Sequence, residues 1–448
     1  MSQKRTIRAD VVVVGAGAAG LAAASFLRKR GGRIIILEAR DRIGGRIFTR
    51  HDRRSPLPIE LGAEFLHGAA EEVNDIADRA GLTLVDVKGD RWVSRRGRMS
   101  RVTDFWDRLN RILGQTDAQR VPDRSLSEFL ADQPGGKRFA ADRTLVREFV
   151  EGFHAAELNR ISERAIAEGG NPGEDEEEQR LRRVVAGYDA IVTELAADLH
   201  RSIRLRQPVA AVDWSRGRVE VTVKTRKGGS YPVIRAAAAI ITVPLPLLQS
   251  ATKGRGAIDF SPEIPTVRAA ADCAAMGHVR KIDILLDSPI TEMVSSRRRQ
   301  HLERLAFLHA RGVGIPVWWT SYPQNSGLVT AWAGGPAALS LEGTGTDARE
   351  TAVRALALAF GIGARTVRHH LVAIFTHNWS RDPFARGAYS YSLVGGSDVG
   401  ARLSRPLEST LFFAGEAANK DGKTGTVHGA IASGLYAAKQ VLSSLGRS

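Results

Sequence analysis

Three glycines, Gly15, Gly17 and Gly20, interrupt ADVVVVGAGAAGLAAAS between a run of four valines and an alanine-rich stretch. That spacing permits a tight turn, close backbone approach to a pyrophosphate and close packing of helix on strand. The N–H groups at the start of such a helix face the anion. Glu38 ends a second apolar run, Ile34 to Leu37. A carboxylate there accepts both hydroxyls of an adenosine ribose and repels a ribose 2′-phosphate, so the unit predicts NAD or FAD rather than NADP. Farther along, the alternation in HVRKIDILLD sets Ile282, Ile284 and Leu286 on one strand face and Lys281 and Asp283 on the other. By alternation alone Lys281 reads as a solvated strand lysine, and it is the first residue to weigh for chemistry.

The elements that must position these groups are those of a doubly wound α/β sheet. Residues Ala9 to Glu38 read as strand, glycine turn, helix and second strand. From about Glu71 to Arg182 the spacing turns helical, as in LSEFLADQ and LVREFVEGFHAAEL. An acidic run, GEDEEEQ, then precedes LRRVVAGYDAIVTELAADL, which is helical in period from Val185 onward. VEVTV reads as a half-exposed strand, KGGS as a hairpin turn, and AAAAIITVP as a strand ending at Pro244. WWTSYPQ and GLVTAWAGG add strands before a helix near Ala352 to Phe360, and the last block runs from strand through a glycine loop to a helix.

With 448 residues the chain predicts two domains. Its 43% hydrophobic and 25% charged residues are those of a globular protein. A single cysteine, Cys273, excludes an internal disulfide and a multi-cysteine metal site, and no metal site is expected. No segment has the roughly 18 consecutive apolar residues of a bilayer span, so a cytoplasmic protein without a membrane partner is expected. The net charge of +15 is scattered and accompanies no nucleic-acid-binding signature, so a solvated basic surface is expected and no specific nucleic acid.

The stretch EARDRIGGRIFT resembles, nearly residue for residue, the signature after the second strand in the flavin amine oxidase superfamily, which includes monoamine oxidases, polyamine oxidases, histone demethylases and L-amino-acid oxidases. The resemblance favours FAD. It implies that Gly44, Gly45 and Arg46 lie along the pyrophosphate and ribityl chain, beside Gly15, Gly17, Ala18, Ala19, Gly20, Glu38 and Ala39, with Arg40 rather than Arg42 as a further phosphate partner. IELGAEFLHG is similar to the segment that passes the flavin ring, where Gly62 and Ala63 leave room for the isoalloxazine, with Glu64 and Phe65 next to them. QPVAAVDW places Val209 at the adenine, and FFAGEAAN with GTVHGAIASG places Gly415, Glu416, Thr426 and Val427 at the ribityl chain and flavin. There the positive end of the last helix stabilises the charge that reduction leaves on the ring.

The same resemblance implies that Lys281 holds a water against flavin N5. In NWSRDPFARGAYSY, Trp379 and Tyr389 match aromatic residues that line the pocket before the flavin, and Ala388 stands where monoamine oxidases carry the cysteine that bonds to it, so FAD is expected to be noncovalent. His67, Glu64 and Thr426 complete the expected substrate site; Thr426 replaces a second tyrosine, and Lys423 occupies a loop position that is often aromatic. His428 is expected to pack at the helix entrance.

The implied architecture is a discontinuous Rossmann-like FAD domain (residues 1–87, 183–267 and 384–448) and an α+β substrate domain (88–182 and 268–383). The implied reaction is oxidation of a polyamine or another primary or secondary amine to an imine and then an aldehyde, with dioxygen reduced to hydrogen peroxide. The expected partners are a small-molecule amine and dioxygen, with a homodimer open. Two other enzyme readings stand beside it: an L-amino-acid oxidase, in which Lys423 would pair the carboxylate, and a flavin amine dehydrogenase with a protein acceptor. A basic scaffold that uses FAD only for folding is the non-enzyme reading. No long helical insertion suggests a chromatin demethylase.

Overall fold

Two four-residue runs in which every side chain is buried, Val11–Val14 and Ile34–Leu37, form adjacent parallel strands, as expected where both faces of a sheet are covered. The computed structural model describes residues 6–170, 179–224, 233–342 and 348–446. The parallel sheet has five strands in the order Ile203–Arg204, Ile34–Leu37, Val11–Val14, Ala238–Ile241 and Leu411–Phe413. One face is covered by the helix Ala18–Arg28 and the C-terminal helix Val427–Ser444, which pack against each other. A second five-stranded sheet, containing Val209–Ser215 and Arg218–Val223, covers the other face with Val212, Val221 and Phe260 in the shared core.

Gly20 shows why the glycine spacing is required. A Cβ on it would stand 2.1 Å from the carbonyl oxygen of Gly15, whose own φ of +108° is a conformation that favours glycine. Gly20→Ala must therefore push the helix from the strand. It is expected to destabilise the protein by about 3 kcal/mol or more, a loss that chemical denaturation of the purified variant would measure.

A seven-stranded sheet faces the glycine loops. Its order is Leu371–Thr376, Val279–Leu286, Leu328–Gly334, Val317–Thr320, Leu305–Arg311, Asp90–Arg95 and Arg98–Val102. On its far face Ile282, Ile284 and Leu286 join Trp318 and the helix Ala348–Phe360 in one core. The helices Phe105–Leu113, Leu126–Ala131, Ala140–Phe153 and Glu163–Glu168 pack beside its near face.

The expected helical texture of 71–182 is therefore broken by the strands Leu84–Asp86, Asp90–Arg95 and Arg98–Val102, the last two paired through the turn at Arg96 and Gly97. Leu181–Val184 is also a strand, between Leu66–His67 and Leu84–Asp86, and the following helix begins at Asp189. The acidic residues 174–178 and the KGGS turn lie outside the described residues. No helix among the described residues is long and apolar enough to cross a membrane.

Candidate active site

The first glycine loop meets the second. Gly44 donates its N–H to the carbonyl of Ala16 at 2.8 Å, and Gly17 and Gly44 form a parallel bridge. Gly44 and Gly45 have φ of +96° and +60°, and Arg42 holds this turn by donating to the carbonyls of Ile43, Gly45 and Ile47. Arg42 thus serves the shape of the loop. Burial and the neighbouring Arg40 lower its pKa to about 10.

Glu38 is 3% exposed and closes one end of this trough. Its Oε2 accepts the N–H of Ala16 at 2.9 Å and its Oε1 that of Arg40 at 2.8 Å. A carboxylate has about four acceptor positions, so two remain for a pair of ribose hydroxyls. The chain before Val209 lies alongside, with Gln207 donating to the Glu38 carbonyl.

At the other end, Glu416 accepts from Arg46 (2.8 Å), the Ser390 hydroxyl (2.7 Å) and the Gly425 N–H (3.0 Å), and Arg46 also donates to the carbonyl of Ala388. Between these ends the backbone is bare. A Cβ on Gly415 would meet nothing within 4 Å, and one on Gly17 nothing nearer than Gly45 at 3.9 Å. An open glycine-lined trough with a carboxylate at one end and a guanidinium at the other fits a dinucleotide such as FAD.

Gly62 is a glycine for a reason other than room for a ring. A Cβ there would lie 1.9 Å from the Arg46 carbonyl oxygen, so its smallness lets two cofactor-side segments touch. Ala63 beside it donates its N–H to that same carbonyl. Arg40, expected at a phosphate, instead pairs with Asp382 at 2.8 Å and lies over the Phe384 ring.

Lys281 is 3% exposed. Its Nζ donates to Glu64 at 2.7 Å and to the carbonyl of Glu60, with Asp283 at 4.0 Å and the Trp319 ring 5.6 Å away. Burial alone lowers a lysine pKa, but Glu64, Asp283 and Glu60 together outweigh it and hold Lys281 above its ordinary value. Glu64 also accepts from Arg183 at 2.8 Å and from the Trp319 indole at 3.0 Å. For Glu64 the two cations likewise overcome burial and keep its pKa low.

With lysine, arginine and indole already engaged, about one of the four acceptor positions of the Glu64 carboxylate remains open. Asp283, raised to about 7 by burial, receives a hydrogen bond from Thr330, its Oδ2 has no partner among the described residues, and the residue lines a small cavity with Glu60, Glu64 and Arg183.

The substrate-side residues divide. His67 and Tyr389 meet through Phe153: the His67 ring contacts the Phe153 ring edge-on at 5.4 Å, and the Tyr389 hydroxyl donates to the Phe153 carbonyl at 2.6 Å. Burial, with smaller effects of His428 and Arg91, lowers His67 to about 4, so it is neutral near pH 7. Trp379, in contrast, is 4% exposed, donates to the Leu61 carbonyl at 2.8 Å and packs on His377. It braces the loop carrying Gly62 and exposes little of its ring.

Thr426 caps the last helix: its hydroxyl accepts from the Gly429 N–H and donates to the Lys423 carbonyl. Its proton and one of its two acceptor positions are committed to that cap. Lys423 extends toward Glu72, 3.5 Å away, and His428 is buried at the helix start, as expected.

Several neighbours of Lys281 and His67 carry no motif in the sequence: Arg183 shares Glu64 with Lys281, Trp319 lies beside Lys281 and contacts Phe307 and Trp332, and Phe153 meets His67. The alternation in VWWT carried a signal for one of them, since Trp318 enters the far core and Trp319 faces the near side. Phe65, expected against the cofactor, packs on Trp319 at 5.4 Å, Phe307 and His67.

The flavin containing amine oxidoreductase family matches residues 18–442. Polyamine oxidase 4 of Oryza sativa subsp. japonica is 30% identical over 96% of this chain and 88% of the relative. Lysine-specific histone demethylase 2 of Homo sapiens is 26% identical over 96% of this chain and 53% of the demethylase. In fold, the chain is similar to putrescine oxidase bound to putrescine (TM-score 0.79, 21% identity, 98% of this chain and 100% of that one). Cyclohexylamine oxidase from Brevibacterium oxydans IH-35A is similar to the same degree: TM-score 0.79, 21% identity, 98% and 100% covered. With one family match running through nearly its whole length, the chain belongs to the flavin-containing amine oxidoreductases and is an FAD-dependent oxidoreductase of that family.

Proposed function

We propose that this protein oxidises a small-molecule amine at the chamber between Lys281, His67 and Tyr389, with dioxygen as the final acceptor and hydrogen peroxide as a product. The observation that carries this reading is a buried lysine held by Glu64 and the Glu60 carbonyl, on either side of Gly62, with the aromatic cluster of Trp319, Phe307, Phe65 and Trp332 beside it. Bound FAD would supply the hydride acceptor for oxidation at the carbon beside the amine nitrogen.

The chain's own residues prepare that event. Glu38, Gly17, Gly44, Gly45, Arg46 and Glu416 would hold the cofactor, in a region made of residues 1–87, 183–267 and 384–448, with the remainder forming the substrate region. Lys281, kept protonated by Glu64, would fix a water at the reacting edge. His67 is neutral, and the Tyr389 hydroxyl is spent on the Phe153 carbonyl, so neither adds charge to the chamber.

Lys281 and Arg183 make the chamber a poor host for an ammonium, so the substrate enters as the neutral amine. Below the amine's own pKa the neutral fraction rises about tenfold per pH unit. kcat/KM is therefore expected to climb with pH through the range 6 to 9. His67 protonates only toward about 4, so no break near pH 6.5 is expected, and a break there in steady-state profiles would contradict the placement of His67.

The reading is tested by an anaerobic screen of spermidine, putrescine, monoamines and amino acids, following loss of the oxidised flavin absorbance, and by a peroxide assay in air. Bleaching by amines with peroxide release is expected. Turnover of α-amino acids alone would defeat it.

A further inference from the structure

Among the described residues Arg91 has ring contacts but no anionic partner. It lies on the strand Asp90–Arg95, and among the described residues none accepts a hydrogen bond from its guanidinium and none forms an ion pair with it. It lies instead over the rings of Phe307 (4.6 Å), Phe105 (5.0 Å) and Trp106 (5.0 Å).

Those contacts belong to a closed circuit. From Arg91 it runs through Phe307, Phe65 (5.9 Å), His67 (6.2 Å), Phe153 (5.4 Å), Phe149 (5.0 Å) and Trp106 (6.1 Å), and returns to Arg91. Phe153 is 45% exposed, and Arg91, Phe65, His67, Phe149 and Trp106 all keep accessible surface. Arg91 is nevertheless so enclosed by protein that desolvation lowers its pKa to about 10. Surface that is accessible yet enclosed is the signature of a side chain lining a channel rather than facing bulk water.

Acids next to this collar are paired elsewhere, Asp90 with Arg101 and Glu148 with Arg311. Glu64 is committed to Lys281 and Arg183, and His67 is neutral. No carboxylate contributes to the electrostatics of Arg91, while its own field helps burial to lower both His67 and His309. An enclosed guanidinium with five donors and no acceptor is costly to leave unpaired and is suited to receive a carboxylate in a fork.

Position sets the length of the molecule. Arg91 and Phe307 are register partners, as are Phe307 and Trp319, and Lys281 and Trp332. Arg91 and Lys281 therefore stand on strands four places apart in the sheet, roughly 19 Å at about 4.8 Å per strand. An α-carboxylate cannot span that distance from the reacting carbon.

Building on the amine-oxidising reading above, we propose that Arg91 is a specificity residue at the far end of an aromatic channel, and that the preferred substrate is an elongated amine whose remote end carries a carboxylate. The free polyamines, whose remote ends are ammonium groups, meet a cation there and are the poorer substrates.

The test uses the FAD-loaded enzyme and three matched series of increasing length: n-alkylamines, α,ω-diamines and ω-amino carboxylates from γ-aminobutyrate to aminododecanoate. In the wild type, the longer ω-amino carboxylates are expected to have the lowest KM, ahead of the alkylamines and well ahead of the diamines. Loss of a hydrogen-bonded charge pair corresponds to about tenfold to hundredfold. R91Q should raise KM for the long carboxylates by that factor, leave the alkylamines within about threefold and improve the diamines, while R91K restores part of the carboxylate preference.

A wild type that prefers diamines overturns the proposal, as does an R91Q variant that weakens all three series equally. If R91Q does not fold, the wild-type ranking and R91K decide alone. A flavin that no series bleaches would instead defeat the amine-oxidising reading itself.

Discussion

Lys281→Met is expected to lower amine turnover at least about a hundredfold while the purified protein stays yellow. The magnitude is that of removing a positioned group acting on a proton or water in the reaction. The fold should tolerate the change, because the charges Lys281 answers have other partners. Glu64 keeps Arg183 and the Trp319 indole, and Asp283, already raised to about 7, becomes neutral once the nearby cation is gone. Removing one partner of a buried pair is costly chiefly when it strands the other charge, and here neither acid is stranded.

Stopped-flow spectroscopy separates the reductive step, mixed anaerobically with amine, from reoxidation in air. A loss confined to either step assigns Lys281 to it. Turnover within about threefold of the wild type would remove Lys281 from the chemistry. Glu64→Gln supplies a companion measurement: with its anionic partner gone, Lys281 loses the largest interaction that keeps it charged, and activity should fall at the low-pH end less than at the high-pH end.

What could be read from the sequence was local. Gly15, Gly17 and Gly20 are dictated by turn conformation and a 2.1 Å approach, both consequences of neighbours within a few residues. Glu38 follows from where a second strand must end, and the alternation around Lys281 correctly divides the far-core Ile282 and Ile284 from the near face. Cofactor chemistry was legible because backbone geometry, rather than side-chain partners, makes the trough.

The substrate side was less legible because it is made by pairing across long stretches of chain. Nothing near Glu64 predicts that Arg183 and Lys281 will claim its carboxylate, and nothing in NWSRDP tells that the Trp379 indole turns to Leu61. Thr426 reads equally as a pocket residue or as a helix cap, and the cap is what its hydroxyl serves. Arg91 sits in DRWVSR, an alternating run set within a region of helical texture; only the pairing with Leu305–Arg311 turns its side chain toward Phe307.

Glu38→Ala should yield a protein that folds but purifies colourless, with FAD affinity weakened by at least about a hundredfold. The carboxylate has two tasks. It fastens the two loops that approach the cofactor by accepting the N–H groups of Ala16 and Arg40, and it offers its remaining acceptor positions to the ribose. Each charge-assisted hydrogen bond contributes about 1.5–3 kcal/mol, so losing a pair to the ribose alone corresponds to a hundredfold or more. Glu38→Gln divides the two tasks. Its amide can still accept one loop N–H, but its NH2 end turns a donor toward the other, so the loops loosen on one side only. An intermediate affinity is expected, measured by titrating flavin-depleted protein with FAD and following flavin fluorescence. If Glu38→Ala retains full flavin through gel filtration, the ribose is not held at this carboxylate, and the orientation of the dinucleotide along the trough must be reversed.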